Sequence, residues 1–138
     1  MAFFVDTTVW SLALRRDVVV DVPEVRMLKE ALAEGGQIVT TGLVLQELLQ
    51  GFTDPKAKKD IIDRFAAIPL IAPDRADHIA AAELRNTCRR AGVQVGTVDA
   101  ILAQLCIRHK LSLLSTDNDF RNMAKFVSLN LFAYPKFK

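Results

Sequence analysis

Two acids in this chain of 138 residues stand among apolar neighbours, where stray surface charge is least expected, and three more stand just past apolar runs. Asp6 ends the run Phe3-Phe4-Val5. Glu47 sits inside Leu43–Leu49, flanked by Val44 and Leu48. Asp99 falls between Val98 and Ala100. Asp117 and Asp119 follow two leucines in the stretch LLSTDNDF, Leu113–Phe120. Each has a local explanation. Asp6 and Asp117 can cap helices, Asp99 suits a helix N-terminus, Thr116 and Asp119 have capping-box spacing, and Glu47 can point sideways into water. Taken together they ask for more. If Asp6, Glu47, Asp99 and Asp117 converge, charges ~5 Å apart repel by ~3 kcal/mol per pair at an effective dielectric near ~20. Groups so placed cannot all stay ionised without compensation, and no lysine or arginine adjoins them in sequence. A bound cation supplies it, and an all-oxygen ligand set selects Mg²⁺ or Mn²⁺ over zinc. Such ions keep waters and phosphate oxygens as their remaining ligands. One or two of them can activate a water against a phosphodiester and neutralise the leaving oxygen.

Competing chemistries are poorly represented. No serine–histidine or cysteine–histidine pairing offers a nucleophile, and no glycine-rich phosphate loop occurs. An aspartyl-nucleophile phosphatase expects two acids after the first strand, whereas VDTT carries one; a phospho-accepting receiver domain expects neighbouring acids early in the chain. Cys88, Cys106, His78 and His109 form no zinc or disulfide pattern. Both cysteines suit apolar helix faces, as buried free thiols in a reducing cytoplasm. The formal charge of +2 permits a nucleic-acid partner without demanding one. The short basic clusters Arg15-Arg16, Lys56 to Lys59, Arg89-Arg90 and Arg108 to Lys110 are scattered and read as solvated faces. No apolar run approaches a membrane span. The opening MAFFVDTTVW does not resemble a signal peptide, so a cytoplasmic protein is expected.

The elements that must position these acids alternate. Short apolar strands are expected at Phe3–Val5, Gln37–Thr40, Leu70-Ile71, Leu111–Leu114 and Leu129–Phe132. Helices are expected from Thr8, from Pro23 to Gly35-Gly36, from Leu43 to Gly51, and after the Asp54-Pro55 cap. A further helix opens on the capping box Asp74-Arg-Ala-Asp77 and ends at Gly92. Val98, Ile101, Leu102, Leu105 and Cys106 then recur as an amphipathic helix, and a short helix follows the last acids. Val18–Val22 reads as loop. Continuous apolar strands separated by helices predict one α/β domain spanning 1–138, a parallel sheet of about five short strands sandwiched by helices in three layers. In such sheets, sites form beyond the carboxyl ends of the strands, where Asp6 and Asp117 fall.

VDTT, QELLQG, TVDAILAQL and LLSTDNDF, in that order and over a chain of this length, closely resemble the PIN-domain ribonucleases, and within them the VapC-type toxins of toxin–antitoxin pairs. The resemblance implies a PIN-like α/β/α fold and a Mg²⁺- or Mn²⁺-dependent endoribonuclease. Asp6, Glu47, Asp99 and Asp117 would be its catalytic and metal-binding acids, and Asp119 an assisting one. Thr7 and Thr116 would support them, with Ser115 an alternative to Thr116. Arg121 and Lys125, just past the acids, are candidate contacts to RNA phosphate. The resemblance also implies a VapB-type antitoxin, for which Trp10 and Leu14 could form part of a groove, and a homodimer, for which the late apolar helices could provide the interface. The alternative is a PIN-like scaffold or protein-binding module without activity.

Overall fold

The computed structural model describes residues 2–15 and 20–132. Arg16 and part of the Val18–Val22 stretch lie outside the described residues.

The chain runs β1 (Phe3–Val5), α1 (Thr7–Ala13), α2 (Pro23–Ala33), β2 (Ile38–Val39), α3 (Gly42–Gly51), α4 (Pro55–Phe65), α5 (Arg75–Arg90), α6 (Thr97–Arg108), β3 (Ser112–Leu114) and α7 (Asn118–Met123). The three strands form a parallel sheet in the order β2-β1-β3. Five strands were expected. The other two positions each contribute a single parallel bridge, Leu70 beside Thr40 and Leu131 beside Leu113. They extend the sheet at both edges without becoming strands. Pro69 and Pro73 bracket one of them, and proline cannot donate to a ladder.

Phe4 and Val5 are both fully buried, as are Leu113 and Leu114. Successive side chains of a strand point to opposite faces, so both faces of the sheet are covered. The connections explain how. From β1 the chain passes to β2 and on to the Leu70 bridge on one side, then returns across β1 to β3 on the other. Right-handed crossovers therefore set α1–α4 over one face and α5 and α6 over the other. The helix packing divides the same way: α1 meets α2 and α3, α3 meets α4, and α5 meets α6. The strand order reverses between β1 and β3, and that is where an open α/β sheet forms its crevice.

One sequence expectation changes. The pattern of α6 suggested one apolar stripe, yet Ala100, Ile101, Leu102 and Ala103 are all buried, as are Leu105 and Cys106. This helix is enclosed on most sides, between β3 and α5, and Val98 at its start is exposed. Trp10 belongs to the core: it is 1% exposed, and its ring lies 4.8 Å from that of Phe65. With the half-buried Leu14 it also lines a cavity of about 230 Å³ between α1, α2 and α4.

α5 begins on the expected capping box. Asp77 donates its N–H to Asp74 Oδ1 at 2.8 Å, and Asp74 donates its N–H to Asp77 Oδ2 at 3.0 Å. The α5–α6 hairpin is clamped there. Arg108 Nη1, at the end of α6, reaches Asp77 Oδ2 at 2.6 Å and Asp74 Oδ2 at 2.8 Å. The Asp77 side chain is 1% exposed, so its charge depends on these donors. Arg108→Ala leaves it buried without its cation. We expect a loss of about 2–3 kcal/mol in urea unfolding, below the full cost of breaking a buried pair because Arg108 is itself partly exposed.

Candidate metal centre

Asp6 is the first residue past β1. Its N–H donates to the carbonyl of Leu114 at 2.9 Å, which extends the β1–β3 ladder by one step and fixes where its side chain leaves the sheet. Asp6 stands at the cap position of α1, yet its carboxylate caps nothing. Instead Oδ2 accepts two hydroxyls, from Thr8 at 2.8 Å and Ser115 at 2.9 Å. The carboxylate is thereby aimed along the sheet edge while almost fully buried.

Asp117 arrives from β3. Its N–H donates to Ser115 Oγ at 3.0 Å, and its Oδ1 accepts the N–H of Asp119 at 2.9 Å. Asp117 is thus the cap of α7, in place of the expected Thr116–Asp119 box. Thr116 makes no side-chain hydrogen bond among the described residues; Ser115 holds the hydroxyl position instead. The register explains why. Val5 pairs with Leu114, which sets Asp6 opposite Ser115, and one residue further along a strand the side chain points to the other face.

Asp99 lies in the first turn of α6. One oxygen from each of Asp99, Asp117 and Asp119 falls within 4.8 Å of the others. Asp99 is half-buried, and its carboxyl is pushed up to about 6, by burial first and then by the charges of Asp6, Asp117, Asp119 and Glu47. Glu47, on the exposed side of α3, accepts the hydroxyl of Thr7 at 3.2 Å. It is not part of the tight trio, but its charge reaches Asp99. Among the described residues, no lysine or arginine forms an ion pair with any of the five acids.

The donor set fits a hard divalent cation. Asp99, Asp117 and Asp119 would each offer one carboxylate oxygen, all within 4.8 Å of one another, and such oxygens suit Mg²⁺ or Mn²⁺. No cysteine or histidine joins this group among the described residues. Cys106 is buried, and its thiol is pushed up to about 12 by burial and by Asp6, so it stays protonated. His109 sits at the opposite end of α6 from Asp99. Of the sequence-predicted residues, the fold gathers Asp6, Asp99, Asp117 and Asp119, with Glu47 and Thr7 beside them. Arg121 turns instead toward Glu24, at 3.9 Å, and Lys125 is exposed. Thr8 was missed. The signal was present in VDTT, whose second threonine can reach back to the acid two residues before it.

A parallel α/β sheet that collects carboxylates at its switch point is the class of protein these features define. The PIN domain profile matches residues 3–126, and the chain belongs to the PIN domain family. It is 29% identical over 127 residues to Ribonuclease VapC11 of Mycobacterium tuberculosis, covering 91% of this chain and 93% of the relative. Among solved structures, VapBC2 from Rickettsia felis bound to a DNA fragment from their promoter superposes with a TM-score of 0.75 at 18% identity, over 98% of this chain and 100% of that one. VapC20 of Mycobacterium tuberculosis, described as a sarcin-ricin loop cleaving toxin, gives 0.64 at 16% identity, over 93% of this chain and 98% of that one. At these identities the solved structures speak for the fold.

Asp99 makes stability depend on pH. Its folded value lies above the unfolded one, near 3.8, so the charged form is penalised in the fold. That penalty is fully present above pH 6, shrinks as pH falls toward 4, and is gone below the unfolded value. In metal-free protein, Asp99→Asn should therefore stabilise at pH 7 by about 1–2 kcal/mol after allowance for solvent screening. Chemical denaturation in EDTA at pH 5 and pH 7 checks this; the gain should shrink at the lower pH.

Proposed function

We propose that this chain is a metal-dependent endoribonuclease that acts in the cytoplasm as the toxin of a toxin–antitoxin pair. One observation carries the reading. Asp99, Asp117 and Asp119 lie within 4.8 Å of one another, burial and then the charges of Asp6, Asp117, Asp119 and Glu47 push the Asp99 carboxyl up to about 6, and none of the five acids has an ion-pairing cation among the described residues. Membership of the PIN family supports it, as does likeness over most of the chain to a relative named a ribonuclease.

Asp99, Asp117 and Asp119 would hold a Mg²⁺ or Mn²⁺ ion, with Asp6 and Glu47 completing the acidic surround. When bound, the ion would activate a water toward phosphorus and neutralise the departing oxygen. The chain's own contribution is placement. Ser115 and Thr8 fix the orientation of Asp6, the Asp117–Asp119 turn presents two carboxylates together, and Thr7 steadies Glu47. Lys125, exposed just past the acids, is suited to an RNA phosphate, and Arg121 would join it on leaving Glu24.

The partner in this reading is a VapB-type antitoxin, supported by the likeness to the toxin–antitoxin complex from Rickettsia felis. The cavity over Trp10 and Leu14, with Leu32 and Ile61 on its walls, would receive an apolar segment of it. Exposed Ile79 on α5 and Val98 on α6 suit a homodimer through that helix pair.

Purified protein should cleave RNA in Mg²⁺ or Mn²⁺ and stop in EDTA. Asp6→Asn and Asp99→Asn should each lower the rate by at least about 100-fold, because each removes charge that the transition state depends on. Undiminished cleavage by both variants would overturn the assignment.

A further inference from the structure

Two helices in this fold begin on the same pattern, a cap residue followed three positions later by aspartate, and use it in opposite ways. In α5 the pair is Asp74 and Asp77, and the reciprocal capping box is complete, at 2.8 and 3.0 Å. In α6 the pair is Gly96 and Asp99. Here no side chain caps the helix, and the Asp99 carboxylate lies with Asp117 and Asp119.

Nothing in the backbone requires glycine at 96. Its φ of −69° and ψ of 157° are open to any residue. A Cβ added there would meet one atom within 4 Å, Asp99 Oδ2, at 4.0 Å. Serine, aspartate or asparagine would serve the helix start better. Nor is the turn free to swing aside. Arg85 Nε donates to the carbonyl of Val95 at 2.7 Å, Val95 is buried, and the carbonyl of Gly96 accepts from Ala100 N–H at 3.0 Å. A side chain at 96 would stand beside the Asp99 carboxylate.

We propose that Gly96 is a positioning residue for the metal centre: by offering no cap acceptor at the start of α6, it keeps Asp99 out of a reciprocal capping box and turned toward Asp117 and Asp119. This rests on the metal reading given above. An acceptor at 96 takes the backbone N–H of Asp99, and the Asp99 carboxylate in turn takes the N–H of residue 96, as Asp77 does for Asp74. The helix then gains a cap and the acids lose a neighbour, so the metal-free protein becomes more stable while the ion loses a ligand. Glycine at this position favours binding over helix stability.

The test uses the full chain as parent, Gly96→Ser and Gly96→Ala, with Mn²⁺ titration by calorimetry and thermal melting in EDTA. Gly96→Ser should melt slightly above the parent in EDTA and bind Mn²⁺ about fivefold or more weakly, the scale of one net hydrogen bond drawn to the Asp99 carboxylate. Gly96→Ala carries no acceptor and should keep Mn²⁺ affinity within about twofold of the parent, because it cannot complete the box. Gly96→Asn presents an equivalent acceptor and repeats the test if Gly96→Ser does not fold. Equal Mn²⁺ affinity in parent and Gly96→Ser overturns the proposal. So does a loss in Gly96→Ala as large as that in Gly96→Ser, since bulk rather than capping would then be responsible. A parent that binds no Mn²⁺ overturns the metal reading and this proposal with it, whereas a parent that binds while the cap variants bind equally well overturns the proposal alone.

Discussion

Mutual repulsion among carboxylates at the carboxyl edge of the sheet is the constraint around which this fold is arranged. Asp6 and Asp117 leave adjacent strands where the strand order reverses, Asp99 comes from the start of a buried helix, and Glu47 projects from α3. Only a rigid frame can hold like charges so close. The parallel ladder supplies it at β1 and β3, and the hydroxyls of Thr8 and Ser115 turn one Asp6 oxygen without adding charge of either sign. A lysine in their place would neutralise Asp6 and remove the reason for a cation to bind. Neutral donors orient the carboxylate and leave its charge uncompensated.

Helix starts are the second part of the arrangement. Five aspartates occupy N-terminal helix positions, the ordinary place for this residue, and differ in what they do there. Asp54 and Asp74, remote from the site, cap their helices. Asp6 and Asp99 stand at comparable positions without capping. Asp117 does both, giving Oδ1 to the cap of α7. The helix dipole favours negative charge at all these places, so the fold gains by bringing acids there, and the free carboxylate oxygens are what remains for a ligand.

Much of this was legible in the sequence because it rests on local rules. The capping box at Asp74, the cap at Asp54 and the helix end at Gly92, which has a φ of +83°, each follow from a few neighbouring residues. The order of acids after strands pointed to side chains that the fold brings near one another. What the sequence hid depends on register or enclosure. Ser115 and Thr116 are equivalent hydroxyls until the pairing of Val5 with Leu114 decides which one faces Asp6. The apolar period of α6 looks amphipathic until α5 and β3 are seen to cover it. The outer two strands looked like strands because their residues are apolar and β-prone, but prolines and edge positions reduce them to single bridges.

Enclosure of α6 also determines how the charge problem can be answered. A helix carrying an unwelcome carboxylate could simply draw its first turn back into solvent. Here, retreat would expose Ile101, Leu102, Leu105 and neighbours, each contributing about 1.5–3 kcal/mol by burial, against ~3 kcal/mol or less for each repulsive pair. The hairpin is also tied at both ends, by Arg85 to Val95 near the site and by Arg108 to Asp77 far from it. Burial outweighs repulsion, so the backbone stays and Asp99 must be answered where it is, by a proton at mild acidity or by a cation near neutrality. The core of the helix and the chemistry of its first turn are one problem: packing too strong to yield would turn local electrostatic strain into affinity for an ion in the metal-binding reading proposed above.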